Sequence, residues 1–574
     1  MLLCETRKGN EQRHQHMMKA RNRTDNGKEH PMTQKRVPVL IVGAGGAGLS
    51  LSLLLLQQGI HPLLIERRTE ISIYPRARNL NFRTLEVLRS LGLAAEVRGA
   101  GTRISQVVFK ETLASKPEQI LDPTTLMHHE EALSPDPFGW HCPQSRLEPL
   151  LWASAKQRGG DVRYSTQLIS FIQDDSGVTA TLEDRTTGRQ YVIQSDYLVA
   201  ADGAHSHIRE ALAIPTQGVG VLPEHFIFVY FRAPWQELIA GREADGFMIK
   251  NADVEGIFLV AKGDLGMFLI TYRPALGESF QDFTSEHCNE LVQKAIGKPE
   301  MEVSIVDIAS WQPAESVASQ FQQGRVFLVG DAAHTMPAYK GLGVNTAIQS
   351  AQNLGWKLAA VIHGQAAPQL LRTYQQERHP VGWFAARQSL TGPGAAWLPK
   401  GTKSEHLPLE KDLPLFYPIV GYRYRSQAIL SEDAAVSSQD EIVLLDREEL
   451  TGLPGTRVPH LWLQQQGQRI STLDLLDGRF VLLVGSNGAF WCEAAAAVKV
   501  SLGIDLMAYR IGPDADLPDL ENGWTAKMGV SPEGAVLVRP DGFVAWHSRT
   551  FTASAESVLE QVFSHILGRS TTLS

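Results

Sequence analysis

Cysteine is scarce, with four in 574 residues at positions 4, 142, 288 and 492, and no two of them stand at metal-ligand or Cys-x-x-Cys spacing. This excludes a disulfide-stapled scaffold and a zinc centre. The chain also lacks an apolar run of the roughly 18 residues that a membrane span requires. The longest run, around residues 49–56, is short and reads as part of a helix. Excess positive charge is missing too: the formal net charge of −8 argues against general nucleic-acid binding. Neither a Ser-His-Asp set nor a paired-carboxylate pattern stands out, so a cofactor is expected to carry the chemistry. His205 and His207 have ligand spacing, but no third ligand accompanies them and a surface turn accounts for both. These absences favour a cytoplasmic protein, monomer or homodimer, that acts on a small molecule, with no metal, nucleic-acid or membrane partner.

A chain of this length exceeds a single core and predicts three or four compact units. Residues 1–36 are polar and basic without hydrophobic periodicity, and read as a disordered basic tail. A β-branched strand at 37–42 then runs into Gly43-Ala44-Gly45-Gly46-Ala47-Gly48, a helix to about residue 58, and a second strand at 61–65 that ends at Glu66. This is a complete dinucleotide-binding βαβ unit. The glycines permit the turn and the close approach of a pyrophosphate, and Glu66 stands where it accepts the adenosine ribose hydroxyls. Arg67 and Arg68 raise the rival reading of a 2′-phosphate bound here, which Glu66 would repel. Only one such fingerprint occurs.

Residues 324–358 form a second unit of strand, Gly-Asp turn, proline-interrupted loop and helix. The helix begins directly after Gly341-Leu342-Gly343, so its unpaired N–H groups and positive dipole end face the loop and favour an anion. Asp331, at the carboxyl end of the strand, can accept hydrogen bonds from sugar or polyol hydroxyls; its plain alternative is a turn-former.

The stretch GRVFLVGDAAHTMPAYKGLGVNTAIQSAQNLGWKL resembles the flavin-binding signature of class A flavoprotein monooxygenases, the para-hydroxybenzoate hydroxylase type. It departs from that pattern at Ala338, Lys340 and Ser350, which bears on the shape of the flavin rim. The resemblance implies FAD, with Asp331 on the ribityl chain, Pro337 against the isoalloxazine, and the helix start at Gly343, Val344 and Asn345 aimed at the flavin pyrimidine. Gly43, Gly45, Gly46, Ala47, Gly48, Glu66 and Arg67 would hold the adenosine half. The loop Tyr74-Pro75-Arg76-Ala77-Arg78, the segment Gln144-Ser145-Arg146 and the motif Asp202-Gly203 are similar to further flavin-side segments of the family, which makes Arg78, Gln144, Arg146, Asp202 and Gly203 candidates. The plainer readings are a solvated loop arginine for Arg78 and an exposed helix start for 144–146.

The implied fold is α/β. A Rossmann-type FAD-binding domain (37–214 and 312–400) would carry an inserted antiparallel β-sheet substrate domain (215–311), followed by a connector (401–452). The strand and helix alternation of 453–574 resembles a thioredoxin-like domain. There Cys492 occupies the first active position, but Ala495 replaces its partner and dithiol exchange is lost. In the inserted sheet Phe226, Phe228, Tyr230, Phe247 and Phe258 are candidates to line a pocket for a flat ring; strand parity leaves open which are core. The family's activity would be NAD(P)H- and O2-consuming aromatic hydroxylation through a flavin C4a-hydroperoxide, most similar to the polyketide-tailoring, aklavinone hydroxylase type. Hydroxylation of a simple phenol, Baeyer-Villiger insertion and a flavin-binding scaffold without turnover are the alternatives.

Overall fold

The computed structural model describes residues 35–72, 74, 78–103, 107–121, 132–137, 139–240, 244, 246–260, 263–391, 410–431 and 441–569. The expected basic tail therefore lies almost wholly outside the described residues, as do Pro75, Arg76 and Ala77 and much of the 401–452 connector. No helix among the described residues is long and apolar enough to cross a membrane.

Strand Lys35–Val42 is β-branched and almost wholly apolar from Val37 on, as a strand buried on both faces must be. It pairs in parallel with Leu63–Ile65, which pairs in parallel with Asp161–Arg163. On its other side runs Arg189–Ala200, itself parallel to Val326–Leu328. The glycine-rich helix Gly46–Gln57 and the long helix Gly343–Ile362 cover this sheet. A hairpin, Thr166–Asp174 and Gly177–Asp184, extends strand Arg189–Ala200 as an antiparallel ribbon that the sequence reading did not anticipate.

The inserted sheet is larger than 215–311 alone. Five antiparallel strands run in the order Ser304–Trp311, His225–Arg232, Leu265–Tyr272, Glu255–Val260 and Gly246–Lys250. Two more, Val107–Lys110 and Gln119–Leu121, join from the preceding domain, the first pairing in parallel with Gly246–Lys250. Helix Ser285–Ile296 packs on one face of this sheet through Cys288, Val292, Ala295 and Ile296.

The C-terminal unit has a four-stranded mixed sheet, Leu506–Ile511, Phe480–Gly485, Ala535–Val538 and Val544–Ser548, with helices Ala489–Leu502 and Ala555–Ile566. This is a thioredoxin-like arrangement. Cys492 is half-buried at the start of its helix, and burial followed by the Asp516 charge raises its thiol above the ordinary value. A thiol used for exchange is instead lowered.

Helix Gly343–Ile362 is buried along most of its length because two cores share it. Ile348, Ala351, Leu354 and Leu358 face the nucleotide fold, whereas Trp356 and Ala360 belong to the C-terminal core. A fully buried charge cluster locks this junction. Glu377, on helix Arg372–Gln388, accepts from Arg539 Nη1 at 2.6 Å, Arg539 Nη2 at 2.8 Å and Lys357 Nζ at 2.7 Å. Arg539 also donates to Asp541 at 3.0 Å, and Asn353 bridges Glu377 and Asp541. Arg83 adds a tie from helix Phe82–Ser90, donating to Gln352 at 2.7 Å and to the Asp541 carbonyl at 2.6 Å. Two cations face two carboxylates, so the core of the cluster is neutral. Burial alone would raise the Glu377 carboxyl, but Arg539 and Lys357 outweigh it and hold it well below the carboxylate range.

Removing one partner from a buried pair strands a charge and costs about 3–5 kcal/mol. Glu377→Gln is expected to lose that much stability in chemical denaturation at neutral pH. Because the folded carboxyl is depressed, its contribution is present above the unfolded value of 4.5 and is lost as pH falls below it. The gap between wild type and variant should therefore shrink in acid; a constant gap would show that Glu377 is not held ionised.

Candidate active site

The carboxyl ends of the parallel strands meet at one edge, where open α/β sheets bind ligands. Gly43 N donates to Ile65 O at 2.8 Å, Ala201 N to Val42 O at 2.8 Å and Val329 N to Ala200 O at 2.9 Å. The glycine turn, Glu66, the Asp202-Gly203 loop and the Gly330-Asp331 turn thus leave the sheet side by side. Their packing forbids side chains. A Cβ on Gly43, whose φ is +109°, would lie 2.2 Å from Ala201 O, and one on Gly48 would lie 2.0 Å from Gly43 O. A Cβ on Gly46 would touch Val344 Cγ2 at 3.3 Å, and one on Gly330 would meet Ala47 Cβ at 3.0 Å. The glycine turn, the Gly-Asp turn and the start of the long helix are therefore in direct contact. Gly45 differs: its Cβ would meet only Glu148 Oε1, at 3.7 Å. That is the open space a pyrophosphate needs.

Glu66 is buried and accepts from Ala44 N at 2.9 Å and from Arg68 N at 2.9 Å. Burial raises its carboxyl, the Arg68 hydrogen bonds and charge more than offset this, and the net value is lowered. Arg68, not Arg67, is the arginine at this corner: its Nε lies 3.1 Å from Glu66, while the Arg67 side chain is exposed. Gln144 donates to Glu148 at 2.6 Å, beside Gly45. Glu148 is fully buried, and burial raises its carboxyl, with the Glu66 charge adding. Arg146 instead donates to the Ala100 carbonyl at 2.9 Å. Arg78 Nε donates to His141 Nε2 at 2.8 Å, and burial followed by the Arg78 and Arg146 charges pushes His141 down to about 3, so its ring is neutral.

Asp331 is accessible to solvent just beyond the carboxyl end of strand Val326–Leu328, and the surrounding protein desolvates its carboxyl and pushes it up to about 6. No described residue hydrogen-bonds its side chain. Pro337 is buried and begins the turn Ala338–Lys340. The long helix starts at Gly343 without a side-chain cap, and its first intrahelical donor at this end is Thr346 N, to Leu342 O at 2.9 Å. The Asn345 side chain is spoken for, accepting from Asn81 N at 2.9 Å and donating to Asn79 O at 2.9 Å. Asn345 therefore contributes its backbone to the helix start while its side chain pins the helix to strand Asn79–Asn81.

Asp202 receives the Ile208 N–H of helix His207–Ala211 at 3.4 Å, and Gly203 adopts φ +90°. Arg209, which sequence reasoning passed over, ties this loop to the Gly-Asp turn through Ala204 O at 2.9 Å and Ala332 O at 3.0 Å. Lys340 turns away from the rim: its ammonium contacts Asp412 at 2.6 Å, Gln388 at 3.1 Å and Leu413 O at 3.0 Å. Ser350 accepts from buried Arg378 at 3.1 Å.

The aromatic candidates divide by strand parity. Phe226, Phe228 and Tyr230 share one face with Trp311 and with Tyr74 from the Arg78 loop: centroids lie 4.6 Å apart for Tyr74–Tyr230, 5.9 Å for Phe228–Trp311 and 5.3 Å for Phe226–Trp311. Phe247 and Phe258 point to the other face, into the core with Phe231, Phe268 and Trp235 under helix Ser285–Ile296. The structure does not bring them to the aromatic row.

These features fit FAD: a glycine-rich turn with room at Gly45, a carboxylate at the end of the second strand, a carboxylate at Asp331 with no hydrogen-bond partner among the described residues, and an uncapped helix start. The chain belongs to the FAD-dependent aromatic-ring hydroxylases. A model of the FAD binding domain matches residues 36–389, and one of the aromatic-ring hydroxylase C-terminal domain matches residues 451–570. The chain is 38% identical to 4-methyl-5-nitrocatechol 5-monooxygenase of a Burkholderia species, with 93% of this chain and 98% of that protein covered. It is 36% identical to aklavinone 12-hydroxylase of Streptomyces purpurascens, covering 94% and 100%. Among solved structures it resembles aklavinone-11 hydroxylase in complex with FAD and aklavinone, with TM-score 0.83, 35% identity, and 94% and 100% of the two chains covered. The protein is an FAD-dependent aromatic monooxygenase that uses NAD(P)H and O2.

Two variants test the cofactor assignments. Gly45→Val should fold normally yet fail to retain FAD, because its side chain fills space left only for a ligand. A hydroxyl donated to Asp331 favours the ionised carboxylate, so the affinity of the apoprotein for FAD should be lost as pH falls through about 6 and be constant above it. Asp331→Asn should weaken binding by about 10- to 150-fold, the equivalent of a charge-assisted hydrogen bond, and abolish that pH step in a flavin-fluorescence titration.

Proposed function

We propose that the substrate is a hydroxylated, fused-ring aromatic of the polyketide type, and that it lies against the row of Tyr74, Tyr230, Phe228, Trp311 and Phe226. This row carries the reading. Its rings offer an extended apolar face, whereas a single phenol needs only one or two partners. Half-buried Met248, Ile257 and Leu269 continue the same face.

Gly43–Gly48 and Glu66 would hold the adenosine and pyrophosphate half of FAD, Asp331 the ribityl chain, and Pro337 with the N–H groups of Gly343–Asn345 the flavin ring. Bound FAD supplies the redox chemistry, taking electrons from NAD(P)H and activating O2. The chain's own part is positional and electrostatic. The helix start stabilises negative charge by roughly 0.3–2 kcal/mol. The aromatic row sets the ring's plane and excludes water, and neutral His141 fixes Arg78 beside the cleft.

A single-ring catechol substrate is the second reading, favoured by the likeness to the nitrocatechol monooxygenase. Incubation of the FAD-loaded protein with NADPH or NADH and a panel of anthraquinone-type and catechol-type phenols, followed by product mass, separates them. We expect a gain of one oxygen on a fused-ring phenol, at the ring carbon. Turnover only of single-ring catechols would give the second reading, ring expansion would indicate Baeyer-Villiger chemistry, and cofactor binding without substrate-stimulated NAD(P)H oxidation would indicate a scaffold.

A further inference from the structure

At the start of the inserted sheet's strand His225–Arg232 and in the turn after Pro337, two buried oxygen atoms have no hydrogen-bond partner among the described residues: Glu224 Oε2 and the Tyr339 hydroxyl. Glu224 is 4% exposed and immediately precedes strand His225–Arg232, the strand that carries Phe226, Phe228 and Tyr230. Tyr339 lies in the turn Ala338–Lys340, two residues beyond Pro337. The two groups feel one another: burial first, and the Glu224 carboxylate second, raise the Tyr339 phenol above its ordinary value. Burial likewise raises the Glu224 carboxyl.

Neighbouring polar groups are committed elsewhere. Lys340 is engaged by Asp412, Gln388 and Leu413 O, and Gln312 donates to Leu222 O at 2.7 Å and lies 3.3 Å from His225 Nε2. Buried polar atoms are almost always satisfied, and an exception near a ligand cleft points to a partner supplied by the ligand. Glu224 Oε2, when ionised, can only accept, and the Tyr339 hydroxyl can both donate and accept.

We propose that Glu224 and Tyr339 form the polar end of the substrate site, Glu224 accepting a hydrogen bond from a phenolic hydroxyl of the ring and Tyr339 donating to an oxygen on the same ring. The inference rests on the aromatic-substrate reading above and adds which feature of the ring is selected. A phenol hydrogen-bonded to a carboxylate feeds electron density into its ring, which favours attack by an electrophilic oxygen. A site built to pair a hydroxyl also rejects an analogue that lacks one.

The test uses FAD-loaded protein and two probes, 2,3-dihydroxynaphthalene and 2,3-dimethoxynaphthalene, titrated calorimetrically. Wild type should bind the dihydroxy probe at least about tenfold more tightly. Glu224→Gln and Tyr339→Phe should each weaken its binding by roughly 10- to 100-fold, leaving dimethoxy binding and FAD affinity unchanged. Variants that bind the dihydroxy probe as wild type does would overturn the inference. An equal loss for both probes, or a loss of FAD, would overturn it in favour of a structural role. Wild type that binds neither probe would contradict the aromatic-substrate reading itself, whereas wild type that discriminates and variants that do not differ from it would overturn only the role of this pair.

Discussion

Glu377 has no access to water, and its two oxygens are shared among Arg539, Lys357, Asn353 and Ser426. An ionised carboxylate can exist there only while those donors are in place, and they come from the long helix, from the segment 422–428 and from the C-terminal sheet. The long helix is therefore held from two sides: Ile348, Leu354 and Leu358 press it on the nucleotide fold, and Trp356, against Phe480 at 5.6 Å, seats it on the C-terminal core. Because the uncapped start at Gly343 belongs to the same helix, an anchor at Asn353 and Lys357, about three to four turns away, fixes the direction in which its N–H groups point. The C-terminal unit, whose Cys492 has no thiol partner at Ala495, makes its contribution here through Arg539 and Asp541.

Local signals were legible in the sequence. The strand, glycine turn and helix of 37–58, the Gly-Asp turn at 330–331 and the helix from Gly343 are set by nearest-neighbour geometry and glycine conformation, and the structure places them as the sequence reading did. Long-range pairings were not legible. Arg83 reaches Asp541 across 458 residues and Arg539 reaches Glu377 across 162, and no periodicity announces such contacts. Likewise, nothing in residues 107–121 marks them as edge strands of a sheet built mainly from 225–311. Strand parity separated Phe226, Phe228 and Tyr230 from Phe247 and Phe258 only once register was known, since a shift of one residue exchanges the two faces.

Departures from the family pattern find physical reasons. The Lys340 ammonium is drawn to Asp412, Gln388 and the Leu413 carbonyl on the connector side. Ser350 in place of a carboxylate leaves Arg378 with neutral partners, the Tyr424 hydroxyl at 2.8 Å, Ser350 at 3.1 Å and the Thr346 carbonyl at 3.3 Å.

The shared ionic anchor is tested most directly by amide hydrogen exchange on wild type and Arg539→Met. Loss of the guanidinium should increase exchange in the helix Gly343–Ile362, including its first turns at the proposed cofactor site, as well as in the C-terminal sheet. Unchanged protection of that helix, with loosening confined to 453–569, would contradict the anchor and return the C-terminal unit to the status of an appended domain.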